Sequence, residues 1–188
     1  MLLIRPLGTD AHEIEKLKEF TDREIGVDYY SDSELKDIAQ RSRLGGMMHS
    51  LVLVDREDRI LGIRMTFPPG AWSSGKGRGL SPHLWPHRPD QTAYFQSLFL
   101  AVEIQGQGWG GKLSQTAIER LKSCGTLGIV CHSWKESPNN SSFRYLNKLG
   151  FKLVAEFTDY WSQISYHCTR CLAPPCRCTA QEMYLQLV

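Results

Sequence analysis

Two clusters of residues in this chain have the types and spacing to do chemistry. The first is Gln105-Gly106-Gln107-Gly108-Trp109-Gly110-Gly111-Lys112, a glycine-rich stretch between a β-rich run and an amphipathic helical one. A turn of this kind lets main-chain N–H groups approach an anion closely. The helix that follows adds its positive end, so the stretch reads as a phosphate cradle. The second cluster is Cys168-x2-Cys171-x4-Cys176-x-Cys178, four thiols within eleven residues.

The glycine cluster fits three phosphate-loop patterns, and its surroundings choose among them. As a nucleotide P-loop it has Gly106, Gly111 and Lys112, but the next position needs a hydroxyl for Mg²⁺ and holds Leu113. As a dinucleotide fingerprint it has Gly106, Gly108 and Gly111, but the next strand ends Val130-Cys131-His132-Ser133 with no carboxylate for the ribose. The third pattern is the acyl-CoA loop Q/R-x-x-G-x-G/A, met by Gln105, Gly108 and Gly110. It demands neither a metal nor a ribose-binding acid. A glycine-rich turn with no ligand is the bland alternative.

For the cysteines, Zn²⁺ takes four soft ligands in a tetrahedron, and C-x-x-C presents two sulfurs from one tight turn. Structural zinc on Cys168, Cys171, Cys176 and Cys178 is the favoured reading, with His167 able to replace one thiolate. Two disulfides, a redox pair or unligated thiols are the alternatives. Cys124 and Cys131 stand alone and read as small buried hydrophobes.

The elements that must position these clusters follow from period and punctuation. Residues 1–5 read as a strand, and Asp10 and Glu13 have capping-box spacing ahead of a helix over about 10–24. Ser31 and Glu34 repeat the spacing before a second helix over about 32–42. His49–Val54 and Ile60–Phe67 read as a hairpin. Residues 68–92 carry nine prolines and glycines and read as a long irregular loop, with Trp72, Lys76, Arg78, His83, Trp85, His87 and Arg88 available to a substrate mouth. Tyr94–Val102 is a strand, about 110–123 a helix and Thr126–Ser133 a buried strand. Ser137-Pro138 and Asn139 start a last helix capped by Gly150, and Phe151–Ile164 pairs with Gln181–Val188 around the cysteines. The order is β-α-α-β-β-β-α-β-α-β-β. It implies a single α/β (α+β) domain over 1–188, one mixed and mainly antiparallel sheet of about seven strands flanked by four helices.

Bulk properties agree with that reading. The chain has 188 residues, 41% hydrophobic and 22% charged, enough for one domain with a sizeable core. Twenty-two basic against 20 acidic residues give +2, with no basic run to bind nucleic acid. The apolar N-terminus is too short for a signal peptide or a membrane span, so a cytoplasmic location with reduced thiols is expected. The assembly is left open, a homodimer included.

From Leu98-Phe99-Leu100 through Gln105–Gly110 to Asn139 and Leu149-Gly150-Phe151, the chain resembles the GNAT superfamily of N-acetyltransferases. The resemblance implies a central strand pair that splays to admit the cofactor, acetyl-CoA. It implies that main-chain groups of Leu98 and Leu100, around Phe99, hold the thioester and pantetheine. Gln105, Gly106, Gln107, Gly108, Trp109, Gly110 and Gly111 would hold the pyrophosphate, and Asn139 the pantetheine arm. A family tyrosine that protonates the departing thiolate falls at Leu146 here. Tyr145 is adjacent and stands with His132 and Glu103 among the catalytic candidates, although at about 100° round the helix from Leu146 it should point elsewhere.

Transfer to an amine also needs a base, since an alkylammonium of pKa ~10.4 has no lone pair. His132 and Glu103 are the candidates, with a water chain as a third route. The expected function is transfer of an acetyl group from acetyl-CoA to a small-molecule or protein amine. A non-catalytic acyl-CoA sensor and a zinc-knuckle interaction module are the alternatives.

Overall fold

The computed structural model describes residues 1–187; the last residue of the expected C-terminal strand, Val188, lies outside them. Seven strands form one sheet. In chain order the elements are β1 (Leu3–Pro6), α1 (Ala11–Glu24), α2 (Asp32–Arg41), β2 (Arg43–Leu44), β3 (Met47–Met48), β4 (Leu51–Val54), β5 (Ile60–Phe67), β6 (Thr92–Leu100), α3 (Trp109–Ser123), β7 (Gly128–Trp134), α4 (Ser141–Lys148), β8 (Lys152–Phe157) and β9 (Ala180–Gln186). The sheet runs β1-β4-β5-β6-β7-β9-β8, antiparallel except for the β6–β7 pair, and β2–β3 is a separate small hairpin.

Capping fixes the first two helices. Ser31 and Glu34 close a full capping box on α2. On α1 the box is half made: Asp10 accepts from the Glu13 N–H, while the Glu13 carboxylate turns to Arg5 and the Gly8 N–H. Every residue of β4 and β5 is buried, which makes them the middle of the core. Alternation along β5 and β6 then divides the two faces. Arg64 reaches Ser114 of α3 and Tyr145 of α4 on one face, and Ser97 meets Tyr30 from the α1–α2 connection on the other.

Two features depart from the expected elements. The expected order has no hairpin after the second helix, yet Gly45 and Gly46, at φ +59° and +80°, make the two-residue turn of β2–β3. The strand expected over Phe151–Ile164 stops at Phe157 and gives way to turns before the cysteines. Residues 68–92 form the long irregular loop expected up to the start of β6 at Thr92, and that loop is packed against the sheet. Trp72 and Trp85 are core residues, and a Cβ on Gly75 would sit 2.5 Å from the Tyr94 hydroxyl.

The feature that positions the site is where β6 and β7 part. They pair in parallel only from Thr92↔Gly128 to Phe95↔Cys131. Beyond that β6 continues to Leu100 against β5, and β7 continues to Trp134 against β9. A V-shaped gap opens between them.

Candidate active site

A cleft of about 740 Å³ occupies the gap. What the strand offers to it follows from the ladder. The Ala101 N–H donates to the Leu61 carbonyl at 2.8 Å, which makes Leu100↔Gly62 a non-hydrogen-bonded pair. Leu100, and Leu98 two residues earlier, therefore turn their main-chain N–H and C=O groups away from β5 and into the gap. Phe99 alternates with them, so its backbone is committed to β5 and only its side chain lines the cleft. The Gln105 side-chain amide donates to the Leu100 carbonyl at 3.0 Å, tying the loop to the strand end.

At the mouth of the cleft, Gly106 (φ +74°) and Gly108 (φ +83°) adopt left-handed backbone, and a Cβ on either would meet nothing within 4 Å. These glycines serve conformation and open space, not close packing. Gly108 is the N-cap of α3 and no side chain caps that helix, so its first N–H groups face outward. Gln105, Gly106, Gly108, Gly110 and Gly111 line the cleft. Gln107 and Trp109 do not: Gln107 donates to the Glu103 carbonyl at 3.0 Å, and Trp109 carries the Lys112 ammonium 4.2 Å over its ring.

Two expected residues lie elsewhere. Glu103 is exposed outside the cleft, 3.9 Å from Arg59, because a short 3-10 turn rotates it out after the strand. Asn139 is exposed in left-handed conformation (φ 53°); Ser137, Pro138, Ser141 and Ser142 take the positions along the β7–α4 wall. Tyr145, expected to point away, lines the cleft together with Leu146, since the floor spans more than one residue's arc of α4. Burial raises the Tyr145 phenol above its ordinary pKa, while the Arg64 guanidinium opposes the rise.

His132 does face the cleft. It sits in a buried network, its side chain 2% exposed. Its Nδ1 is 2.9 Å from the Tyr94 hydroxyl and 3.0 Å from that of Tyr160. Tyr160 stacks on the imidazole at 4.4 Å and so approaches Nδ1 from above the ring, leaving Tyr94 the better partner. Nε2 lies 3.4 Å from Glu182, a separation that counts as an ion pair but is too poorly aligned for a full hydrogen bond. Glu182 is fully buried and accepts from the Ser81 N–H and, at 2.9 Å, from the Trp85 indole. Burial pulls the His132 pKa below its ordinary value, and Glu182 only partly restores it, so the imidazole is neutral near pH 7. Its Nδ1 can then accept a proton.

On the opposite side a second, polar pocket of about 460 Å³ adjoins the cleft through Tyr29, Lys76 and Gln96. Lys76 is the one basic member of residues 68–92 to line both. It pairs with Glu34 at 2.6 Å and lies over the rings of Tyr29 and Tyr30. Burial lowers its pKa, against the pull of Glu34.

The four cysteines converge between β8 and β9, with all four sulfurs within 4.8 Å of one another and none in a disulfide. The Cys178 sulfur is 3.6 Å from that of Cys171 and 3.8 Å from that of Cys168. A tetrahedron of thiolates at ~2.3 Å from zinc has edges of about 3.8 Å, whereas a disulfide needs ~2.05 Å. The residues fit the metal. His167 is not needed as a ligand. Cys168 and Thr169 border the cleft, and Tyr166 joins Cys176 (3.4 Å) to Tyr29 (ring centroids 4.8 Å apart). The knuckle thus braces the wall between cleft and second pocket.

Arg64, Tyr94, Tyr160 and Glu182 escaped the sequence reading. Each is a polar residue at an inward position of a strand or turn. Such a position in an otherwise apolar segment was the only signal available.

A model of the acetyltransferase (GNAT) family matches residues 12–151. No curated protein matches the chain in sequence. Among solved structures it is similar to the ribosomal-protein-S18-alanine N-acetyltransferase of Escherichia coli (14% identity, TM-score 0.68, covering 100% of this chain and 94% of that one). It is also similar to a chain of the NatC complex bound to Gag peptide and CoA (15%, 0.72, 100% and 99%). A third is Ard1 of Thermoplasma volcanium (14%, 0.66, 100% and 98%). At these identities the likeness is one of fold.

Proposed function

The chain belongs to the acetyltransferase (GNAT) family, and on that premise we propose a division of labour within its cleft. The protein moves an acetyl group from acetyl-CoA to an amine. The pantetheine arm lies along β6, held by the outward main-chain groups of Leu98 and Leu100, and the pyrophosphate lies on the loop from Gly106 to Gly111. The observation that carries this reading is the ladder phase that turns Leu98 and Leu100 into the gap, with the uncapped start of α3 at its mouth.

The amine, from a small molecule or a protein, enters from the Tyr29–Lys76 side. Its ammonium gives up a proton to His132 Nδ1 through the Tyr94 hydroxyl, which donates to Nδ1 and accepts from the substrate. The amine then attacks the thioester carbon, and the Leu100 N–H donates to the oxyanion. Holding both partners in one cleft supplies much of the remaining acceleration. Release of free CoA thiol in the presence of an amine panel tests this reading. CoA bound tightly with no thiol released from any amine would return the protein to the sensor class.

Cys168, Cys171, Cys176 and Cys178 hold one structural zinc ion, which fixes the tip between β8 and β9 and takes no part in the transfer. Metal analysis of purified protein checks it: about one zinc per chain is expected, and none would remove it. The reading of these cysteines as metal ligands goes with a reducing compartment, the cytoplasm, as the proposed location; fractionation of cells tests that. The mechanism uses neither nucleic acid nor membrane. A homodimer is the assembly to look for by sedimentation.

A further inference from the structure

Arg64 has no role in the mechanism above, yet it is the most heavily buried cation lining the cleft, at 3% exposure. It leaves β5 opposite Leu98, and its Cζ lies 4.3 Å over the Phe95 ring, just where β6 and β7 part. Nη2 donates to the Ser114 hydroxyl at 3.0 Å and to the Tyr145 hydroxyl, which uses both of its hydrogens. Among the described residues Nη1 and Nε have no acceptor, and no carboxylate pairs with the guanidinium. The Cys131 thiol on β7 supplies no counter-charge either, because burial pushes its pKa up to about 12. Enclosing a charge among neutral partners is costly, since its lost hydration is not replaced. An anion that arrives with a ligand accounts for that cost.

The layout of the cleft says which part of the ligand carries the anion. The pyrophosphate lies at the mouth, on the loop from Gly106 to Gly111, and the oxyanion accepts from the Leu100 N–H. The acceptor enters from the Tyr29–Lys76 side, whereas Arg64 lies on the opposite face with Ser114 and Tyr145. A carboxylate on the acceptor would meet Lys76 first, and Lys76 already holds Glu34 at 2.6 Å. The far end of the acyl chain remains. The arm runs from the loop past Leu100 to Leu98, so whatever follows the thioester carbon continues toward the vertex at Phe95, where Arg64 stands. Residues two apart on a strand are separated by ~7 Å, and three C–C bonds of ~1.5 Å each cover much of that distance. An acetyl methyl is too short and too apolar to use Nη1. A carboxylate beyond a two-methylene spacer satisfies it.

We propose that the acyl end of this cleft takes a second class of donor, acyl-CoA whose chain ends in a carboxylate as in a succinyl group, and that Arg64 holds that carboxylate. The bond changes are those of acetyl transfer. The amine nitrogen bonds to the thioester carbon, the C–S bond breaks with its electron pair going to sulfur, and the proton lost by the amine ends on the CoA thiol. The carboxylate takes no part and leaves on the product, an amide whose chain ends in an acid. Nη1 donates to the carboxylate while Ser114 and Tyr145 hold Nη2 and keep the guanidinium over Phe95. Arg64 therefore selects the donor and does not touch the reacting atoms.

The proposal rests on CoA occupying this cleft, and its test separates the two. Two stable thioethers of CoA are titrated by calorimetry near neutral pH, one bearing a carboxypropyl chain and one a butyl chain. They match in carbon number and differ in a carboxylate against a methyl group. The unaltered protein should bind the carboxypropyl thioether roughly tenfold or more tightly, as a charged hydrogen bond implies. The ratio should fall to about one or below in Arg64→Met and be partly kept in Arg64→Lys. It is read within each protein, so a general loss of binding cancels. With an amine that accepts acetyl, thiol release from succinyl-CoA should exceed that from butyryl-CoA in kcat/KM, and Arg64→Met should reverse the order.

A ratio near one in the unaltered protein overturns the carboxylate subsite. So does a preference that survives Arg64→Met, which would move it to Lys76. Binding of the carboxypropyl thioether without thiol release from succinyl-CoA, where acetyl-CoA turns over, overturns the second activity. Failure of CoA and both thioethers to bind overturns the cofactor reading itself. Should Arg64→Met not fold, the ratio in the unaltered protein and its partial loss in Arg64→Lys still decide.

Discussion

Replacing Gly108 by alanine separates what the loop does for the fold from what it does for the cofactor. Gly108 sits at φ +83°, and an added Cβ would meet no atom within 4 Å. The folded protein therefore suffers only the left-handed backbone, ~1–2 kcal/mol for an L-residue. For a chain of this size that lowers Tm by roughly 2–8 °C. Binding should suffer separately, because the methyl group projects where the pyrophosphate lies. Each charge-assisted hydrogen bond lost is worth ~1.5–3 kcal/mol, so losing one weakens CoA roughly 10- to 150-fold.

Gly45→Ala is the matched control. Gly45 is also left-handed (φ +59°) with open space around its Cβ, but it turns the β2–β3 hairpin far from the cleft. Thermal scans and calorimetric CoA titrations of both variants give the comparison. A similar Tm loss in both, with affinity lost only in Gly108→Ala, is expected. Unchanged CoA affinity in Gly108→Ala would refute placement of the pyrophosphate on this loop.

Other consequences are equally direct. His49 and His132 both have pKa values held below the ordinary imidazole value by burial, so below about pH 6.5 the unfolded chain binds protons that the folded one resists. Stability should fall as pH drops from that point, and Tm of His132→Gln should fall less steeply; equal slopes would contradict the burial argument. Gly75→Ala forces a methyl onto the Tyr94 and Tyr160 hydroxyls, and overpacking of this kind costs ~1–3 kcal/mol, read as a loss in denaturant midpoint together with a lower kcat. Cys178→Ser removes a sulfur that lies within 4 Å of those of both Cys168 and Cys171, and metal analysis should show its zinc content falling well below that of the unaltered protein. Glu103→Gln should leave kcat within about twofold, since Glu103 faces solvent and Arg59; a tenfold loss in steady-state assays would restore it as base.

Features written in local sequence were legible. The Ser31–Glu34 box, the strand-to-helix passage through Gln105–Gly111 and the cysteine spacing each depend on residues a few positions apart, and each appears where expected. What depended on distant partners was not. The packing of residues 68–92 is decided by Tyr94, Tyr160 and Glu182, up to a hundred positions away. Glu13 abandoned its capping role because Arg5 on the neighbouring strand offered a stronger partner. Glu103 looked well placed in sequence, but one short turn rotated it to the outside. Tyr145 was judged by helical angle alone, which ignores how much of α4 the cleft floor covers. Arg64 could not be distinguished from any strand arginine until the absence of a carboxylate beside it was visible.

The central claim is that coenzyme A lies in the gap between β6 and β7 with its arm on Leu98 and Leu100. A crystal structure of the protein with CoA bound tests it most directly. The account predicts pantetheine hydrogen bonds to the main chain of Leu98 and Leu100 and pyrophosphate oxygens on N–H groups between Gly106 and Gly111. CoA bound elsewhere, or in the gap but contacting neither leucine, would contradict it.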